Sequence, residues 1–385
     1  MLTKVSIEGL LGVGRVELEL DSDQRVYTFF GANGVGKTKC LEALYQYLLA
    51  SNKDFWNFAK PTRAFGSPVL VMDGMSHTPH PVPLRRTEEK QDIGKVWGTG
   101  DAAPWHNSPV VFLGAGRRAS VTAGNAPPAG ALGSFVDRRK QYFNGIARMF
   151  GSGHLNSLGM SDDVRDWFVK RAQSVNPYQK SADNRQAEID AVLSMLNTID
   201  SRIDSKTLQI DGAGRVFLSV GEQLRELGEL SSGFAALVKL VQAIVAGYAA
   251  FTNEVQLRNV RGFVLIDEIE SHLHVEWQSK IIPCLKTLLP STTFYVATHS
   301  PLVLTQLKDG EAYSLKRDER DGVVRSEVIE GANRRLFADV LKRAFDVDLN
   351  KLKHQAMDQD REQTQRAKKS LLSLLDEVEA AEAKQ

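Results

Sequence analysis

"VYTFFGANGVGKTKCLEALYQYLL", residues 26–49, places an apolar run, a glycine-rich loop and a helical pattern one after another. The apolar run spans 26–30, and the loop has the spacing Gly31-x-x-x-x-Gly36-Lys37-Thr38. Apolar residues at 41, 44, 45 and 48 then repeat with the period of an amphipathic helix. Glycines let backbone N–H groups turn toward phosphate oxygens, and a helix start adds the positive end of a dipole. The stretch therefore predicts a phosphate-binding loop (P-loop) between a buried strand and a helix.

The residue types of this loop predict which of its side chains contact a nucleoside triphosphate. Lys37 would reach the β- and γ-phosphates, and Thr38 would offer its hydroxyl to Mg²⁺. The alternative is a glycine-rich turn that matches by chance, and the correct strand and helix on either side disfavour it. The residues predicted to bind ATP here are Gly31, Ala32, Asn33, Gly34, Val35, Gly36, Lys37, Thr38 and Lys39.

A second strand with acidic residues at its end lies in "RGFVLIDEIESHLH", residues 261–274. Four apolar residues at 263–266 precede Asp267 and Glu268, as in a strand buried on both faces. Ligands bind at the carboxyl ends of the strands in open α/β sheets. We therefore predict that Asp267 holds Mg²⁺ and that Glu268 polarises the attacking water.

A third apolar strand is predicted in "STTFYVATHSPLVL", residues 291–304, and it ends at His299. A histidine at a strand end is most often a structural residue whose hydrogen bonds are satisfied. Its position about thirty residues after Asp267 and Glu268 favours a catalytic role instead. We predict that His299 contacts the γ-phosphate.

Small polar residues precede an apolar helix in "ELSSGFAALVKLV", residues 229–241. Ser231 or Ser232 is suited to cap this helix, and an uncovered helix start is a phosphate site. The P-loop already serves the nucleotide of its own subunit. Ser231, Ser232 and Gly233 are therefore predicted to bind the nucleotide that a second subunit holds.

These stretches occur in the order seen in ABC-type ATPase heads. "GANGVGKT", "LSSGF", "FVLIDE", "IESHLH" and "ATHS" resemble the OLD-like and RecF/SMC-like ATPases more than transporter subunits. "DEIESHLHVEWQ", residues 267–278, looks like the D-loop of the OLD-like group, and "VVFLGAGRR", residues 110–118, is also similar to that group. The stretch "LSSGF", residues 230–234, corresponds to the signature of these ATPases. It departs from the usual signature at Ser232, which replaces a small glycine, and at Phe234, which replaces a glutamine.

The resemblance implies an α/β fold of the P-loop NTPase class and of the ABC-ATPase head type. It implies a mixed sheet with an N-terminal β-hairpin region and an inserted helical lobe. Five regions are predicted. Residues 1–72 contain the N-terminal strands and the P-loop, and residues 73–133 form insertion loops with a core strand near 110–116. Residues 134–210 form the helical lobe, residues 211–310 contain the signature, the acidic strand and His299, and residues 311–385 form C-terminal strands and helices suited to dock a partner.

The resemblance also implies a function. It implies a slow or regulated ATPase that uses ATP and Mg²⁺ and works as a homodimer, with a higher oligomer left open. Lys37 of one subunit would meet Ser231 to Gly233 of the other across the two shared ATP sites.

The nuclease-less OLD-like heads that the chain resembles include ATPase subunits of antiphage defence systems (Septu, PARIS and retron-associated). Because no acidic nuclease constellation follows residue 310, a separate nuclease or toxin is the expected effector. The alternative is a RecF-like DNA-repair ATPase that clamps DNA.

Composition agrees with a cytoplasmic protein. The 385 residues are 42% hydrophobic and 25% charged, with a formal net charge of +1, so no global charge favours nucleic acid or a membrane. The two cysteines form no disulfide framework, and the N-terminus has no signal-peptide layout. The apolar run 233–251 is interrupted by Lys239 and Gln242, which predicts a core helix.

Three other groups of residues leave alternatives open. Glu270, His272 and His274 cluster as metal ligands would, but the i, i+2 spacing of the histidines on a helix disfavours joint binding, and contacts across the dimer near the γ-phosphate of the partner subunit explain the cluster better. Loop histidines at 77, 80 and 106 rarely bind a metal. The pair Arg117 and Arg118 fits either a phosphate contact or a solvated strand end. Basic residues of the helical lobe fit either a nucleic-acid contact or a solvated face.

Overall fold

The structure is a computed structural model that describes residues 4–10, 12–55, 71–73, 106–118, 131–152, 155–160, 162–180, 182–254 and 256–334. Met1–Arg334 is one compact unit. The predicted helices in 335–385, and most of the predicted insertion at 73–133, lie outside the described residues. The division of the chain into five regions therefore stays a prediction.

Twelve strands are described. They are β1 Lys4–Leu10, β2 Gly14–Glu19, β3 Val26–Phe30, β4 Val71–Asp73, β5 Val110–Leu113, β6 Ile203–Ile210, β7 Val216–Val220, β8 Gln223–Glu226, β9 Gly262–Ile266, β10 Thr292–Ala297, β11 Ala312–Arg317 and β12 Val324–Val328.

Eight α-helices are described, with short 3₁₀ turns between some of them. They are α1 Lys37–Ala50, α2 Phe135–Ser152, α3 Val164–Gln173, α4 Gln186–Ile199, α5 Ser232–Phe251, α6 Val275–Gln278, α7 Ile281–Leu288 and α8 Pro301–Leu304.

Nine strands form one mixed sheet in the order β4-β1-β2-β12-β11-β3-β10-β9-β5. Its centre is parallel, because β3 pairs with β10 and β11, and β9 pairs with β10 and β5, all in the same direction. The predicted N-terminal hairpin is present as the antiparallel pair β1 and β2. The mixed α/β fold class predicted from the motifs is therefore confirmed.

The central strands are apolar runs buried on both faces. All five residues of β3 and all six residues of β10 are buried, as expected for a parallel sheet covered by helices. Their parallel register places the ends of β3, β9 and β10 side by side, with Ala297 opposite Phe29 and Val296 opposite Ile266. The loops that follow these three strands consequently meet at one edge of the sheet.

The predicted helical lobe contains α2, α3 and α4. A buried ion-pair group joins α3 to α4, because Glu188 accepts from Arg171 Nε at 2.6 Å and from Arg185 Nε at 2.5 Å. The last residues assigned to this lobe, Ile203–Ile210, form strand β6 instead. β6 pairs with β7, and β7 with β8, in a separate antiparallel sheet.

Helix α5 runs from the signature stretch into the core. Among the described residues, it alone has the length and hydropathy of a membrane span, and 94% of its most apolar window is buried inside the protein. This burial agrees with the core helix that the interrupted apolar run predicts.

Candidate functional site

The P-loop connects β3 to α1 with backbone geometry that only glycine adopts easily. Gly36 has φ 110° and stands directly before α1, where a Cβ would lie 2.6 Å from Val13 Cγ1. A Cβ on Gly31 would lie 2.5 Å from the carbonyl oxygen of Leu315. No side chain caps the start of α1. The first N–H groups of α1 therefore remain available for phosphate oxygens.

Lys37 folds back over this loop. Its side chain is buried, and Nζ donates to the carbonyl oxygens of Gly31 at 2.9 Å and Ala32 at 3.0 Å. Burial lowers the pKa of Lys37, while the nearby carboxylates of Asp267, Glu270 and Glu268 raise it. A γ-phosphate would give this cation the anionic partner that the two carbonyls do not supply.

Thr38 and Asp267 meet across the edge of the sheet. Thr38 Oγ1 donates to Asp267 Oδ1 at 3.1 Å, although 229 residues separate them in sequence. Burial raises the pKa of Asp267 to about 6, with the Thr38 hydrogen bond acting in the opposite direction. A hydroxyl beside a buried carboxylate is a set of hard oxygen donors, which fits Mg²⁺ bound together with phosphates. These two residues consequently fit the predicted cation.

Glu268 follows Asp267 in an uncommon backbone conformation. Its φ is 45°, which few residues other than glycine adopt. Arg118 holds this backbone, because its guanidinium donates to the carbonyl oxygens of Asp267 at 2.6 Å, of Gly114 at 3.1 Å and of Glu268. The half-buried Glu268 side chain thus projects from a turn that a buried cation fixes.

Arg118 fits neither of the two interpretations made from sequence. Its side chain is fully buried, so it is not solvated, and the contacts above direct it at backbone carbonyls. Burial lowers the pKa of Arg118 to about 10, and Asp267, Glu270 and Glu268 raise it. Arg118 is therefore a positioning residue that the sequence reasoning missed.

His299 follows β10 at the same edge of the sheet and is exposed. Its backbone N–H donates to Glu270 Oε1 at 2.6 Å. Burial and the charge of Lys37 lower the pKa of His299, whereas Glu270 and Glu268 raise it. The structure thus places Lys37, Asp267, Glu268 and His299 at one edge of the sheet, while their roles stay predictions.

The signature stretch forms the start of α5. Ser231 is the N-cap, because its side chain accepts from the backbone N–H of Phe234 at 3.3 Å. Ser231 and Ser232 are exposed. A Cβ on Gly233 would lie 2.9 Å from the carbonyl oxygen of His272, so the D-loop of the same chain already requires a glycine here.

Phe234 packs within its own chain. It is 6% exposed, and its ring makes an edge contact with Trp277 at 5.8 Å between centroids. Trp277 Nε1 also donates to Asp200 Oδ2 at 3.3 Å, near the end of α4. Trp277 therefore contacts both the signature helix and the end of the helical lobe, and sequence reasoning did not identify it.

Gly233→Ala tests the close approach at the signature. The added methyl must displace the His272 carbonyl, so we expect the free energy of unfolding to fall by about 1–3 kcal/mol. Gly145→Ala in α2 is the matched control, since nothing lies within 4 Å of its Cβ position, and it should stabilise the protein by about 0.5–1 kcal/mol. Urea unfolding measures both, and equal stability of the two variants would contradict the close approach.

The histidine clusters do not form a metal site in the described residues. His274 caps α6 by accepting from the N–H of Glu276 at 3.4 Å, and Glu270 is occupied by its contact with His299. His106 bonds the carbonyl oxygen of Leu48 at 2.8 Å and the N–H of Ser108 at 3.2 Å. No group of three metal-ligating side chains occurs in the described residues, and His77 and His80 lie outside them.

Comparisons with known proteins identify several similar sequences and structures. Residues 117–305 match the family described as "AAA domain, putative AbiEii toxin, Type IV TA system". This range contains the signature, the acidic strand and His299, and the P-loop precedes it. The Septu protein PtuA of Bacillus thuringiensis is 22% identical over 330 residues, which cover 83% of this chain and 76% of the relative.

Two further matches cover different shares of each chain. The Retron Vc95 probable ATPase of Vibrio cholerae serotype O1 biovar El Tor is 31% identical over 137 residues, which cover 34% of this chain and 26% of the relative. A crystal structure of the Smc head bound to the C-winged helix domain of ScpA matches with a TM-score of 0.45 and 14% identity, covering 87% of this chain and 99% of that chain. Residues 117–305 thus match this AAA domain family, and the chain is related to Septu PtuA and to a retron ATPase.

Proposed function

We propose that this chain binds and hydrolyses ATP as a homodimer and serves as the ATPase subunit of an antiphage defence complex. In this proposal it works in the cytoplasm and controls a separate nuclease or toxin. The observation that carries the ATPase part is the hydrogen bond between Thr38 and Asp267, which joins the P-loop to the acidic strand. The relationship to Septu PtuA and to a retron ATPase supports the defence part.

Each residue has a role in this proposal. The P-loop N–H groups and Lys37 bind the phosphates, and Thr38 and Asp267 hold Mg²⁺. When bound, Mg²⁺ neutralises charge on the β- and γ-phosphates. Glu268 accepts the proton of the attacking water, and His299 donates a hydrogen bond to the γ-phosphate.

The exposed signature supports the proposed dimer. Ser231 and Ser232 face solvent at the start of a twenty-residue helix, whose dipole favours an anion there. The P-loop lies at the start of a different helix, α1. One nucleotide bound between two copies of the chain would therefore contact the start of α1 in one copy and the start of α5 in the other. A monomer would accordingly hydrolyse ATP poorly.

The DNA-repair alternative receives less support. Three of the basic residues of the helical lobe that could bind DNA are engaged inside the protein. Arg138 donates to Gly133, Arg139 pairs with Asp54, and Arg171 pairs with Glu188. DNA that stimulates hydrolysis with a steep salt dependence would nevertheless favour this alternative.

ATP hydrolysis by the purified chain tests the proposed activity. We expect Mg²⁺-dependent phosphate release, and Lys37→Ala should remove it because Lys37 Nζ folds back over the P-loop, whereas Lys39 Nζ is paired with Glu42. Lys206→Ala, on the exposed face of β6, is the control and should keep wild-type turnover. An inactive wild-type chain, alone and together with the products of neighbouring reading frames, would contradict the proposal. Co-purification of an effector with the chain tests the defence part.

A further inference from the structure

Both carboxylate oxygens of Glu270 accept hydrogen bonds from the residues that follow β10. Oε2 accepts from the Thr298 hydroxyl at 2.6 Å, and Oε1 accepts from the backbone N–H of His299 at 2.6 Å. Thr298 is fully buried, and its Oγ1 also accepts from the N–H of Ser300 at 3.0 Å. Short hydrogen bonds to an ionised carboxylate are among the strongest that side chains form. Glu270 therefore fixes the backbone on which the His299 ring stands.

Two further contacts join the same pair of segments. The N–H of Ile269 donates to the carbonyl oxygen of Ala297 at 3.2 Å, and Ser300 Oγ donates to Gln278 Oε1 at 2.8 Å. The D-loop, residues 267–278, is thus joined to residues 297–300 by hydrogen bonds on both sides of Glu270. Since Glu268 lies in this D-loop, the ties connect the predicted base to the predicted γ-phosphate contact.

The other possible roles of Glu270 fit the geometry less well. A Mg²⁺ ligand or a general base needs a free carboxylate oxygen directed at the metal or the water. Both oxygens of Glu270 instead point at donors of its own chain. Thr38 and Asp267 already provide the oxygen donors beside the P-loop.

We propose that Glu270 is a positioning residue that holds His299 at a fixed position relative to Glu268 by binding the Thr298 hydroxyl and the His299 N–H. This inference rests on the proposed ATPase function. It assigns a task to a residue that touches neither the nucleotide nor the water. The task depends on two hydrogen bonds made at a fixed place, one with the Thr298 hydroxyl and one with the His299 N–H.

Glu270→Ala and Glu270→Gln separate this role from others. A misplacement of about 1 Å at a reacting group can cost about 10²-fold in rate, so kcat of Glu270→Ala should fall by about that factor. The affinity for ATP should stay within about threefold, because the P-loop supplies binding. Glu270→Gln should keep kcat within about fivefold of wild type, since its amide oxygen accepts from His299 and its NH₂ donates to Thr298 Oγ1.

Two more variants complete the kinetic test. Glu276→Ala is the matched control, because Glu276 is an exposed partner of Lys280, and it should leave kcat unchanged. Thr298→Val removes one of the two hydrogen bonds and should lower kcat by less than Glu270→Ala does. It also tests the inference if Glu270→Ala does not fold.

A second readout uses the protein without nucleotide. In protein labelled with ¹⁵N-histidine, the ring signal of His299 is identified among the eight histidines by its loss in His299→Ala. We expect this signal to move in Glu270→Ala and to stay in place in Glu276→Ala. Wild-type turnover in Glu270→Ala, an unmoved His299 signal, or a Glu270→Gln variant as slow as Glu270→Ala would overturn the inference. An inactive wild-type chain would contradict the ATPase proposal instead, while the NMR result would still decide on Glu270.

Discussion

Replacing Glu268 with glutamine is expected to lower kcat for ATP hydrolysis by about 10²- to 10⁴-fold, the usual contribution of a general base. The amide cannot accept the proton of the attacking water, whereas the size of the side chain is nearly preserved. Lys37, Thr38 and Asp267 are untouched, so ATP should bind with near wild-type affinity. Without turnover, the ATP-bound dimer should accumulate.

Three measurements check this expectation. Phosphate release gives kcat, a fluorescent ATP analogue gives the affinity, and light scattering with and without ATP gives the mass. Glu327→Gln is the control, because Glu327 is an exposed residue of β12 whose surface ion pair contributes little. Unchanged hydrolysis in Glu268→Gln would remove Glu268 as the base, and loss of ATP binding would assign it to the nucleotide site itself.

The parallel centre of the fold could be predicted because each of its strands carries its own local signal. The runs at 26–30, 263–266 and 294–297 are apolar on both faces and end in glycine or in polar residues. The observed strands β3, β9 and β10 differ from these runs by no more than two residues at either end. A buried parallel strand can therefore be predicted largely from its own residues.

The missed residues depend on contacts between distant parts of the chain. Arg118 binds the carbonyl of Asp267, 149 residues away, and Trp277 binds Asp200, 77 residues away. Neither contact produces a periodic pattern in the sequence. A single arginine or tryptophan near the end of a helix or strand can also have many different roles, so its partner cannot be read from the sequence. The sequence shows Glu270 only as part of a cluster with His272 and His274, which indicates either a metal site or contacts across a dimer and not the contacts with Thr298 and His299.

The signature shows how one local observation can have two causes. Small residues at 231–233 were predicted to admit the phosphates of a second subunit. The nearby His272 carbonyl of the same chain is sufficient to explain why position 233 is a glycine. The small size of Gly233 by itself therefore does not support a dimer. Ser231 and Ser232 remain exposed, and Ser231 caps α5. The shared site therefore needs a test that depends on two different chains.

A mixture of Lys37→Ala and Ser232→Arg chains is expected to regain activity that neither variant has alone. Lys37→Ala lacks the phosphate cation, and Ser232→Arg places a long cation at the exposed start of α5. In a mixed dimer, the Ser232→Arg chain supplies an intact P-loop and the Lys37→Ala chain supplies an intact signature. One of the two shared sites is thereby restored, and the other carries both changes.

The size of the recovery follows from the symmetry of a dimer. If chains pair at random and sites act independently, about half of the dimers are mixed and each has one working site, which gives about a quarter of wild-type turnover. Turnover is measured after the two variants exchange subunits at equal concentrations. Lys37→Ala mixed with a Lys37→Ala/Ser232→Arg double variant is the control, because no dimer in it has an intact P-loop. If the first mixture is as inactive as this control although mass measurements detect mixed dimers, the nucleotide is not shared between chains. Activity in Ser232→Arg alone would mean that the signature serine does not approach the phosphates at all.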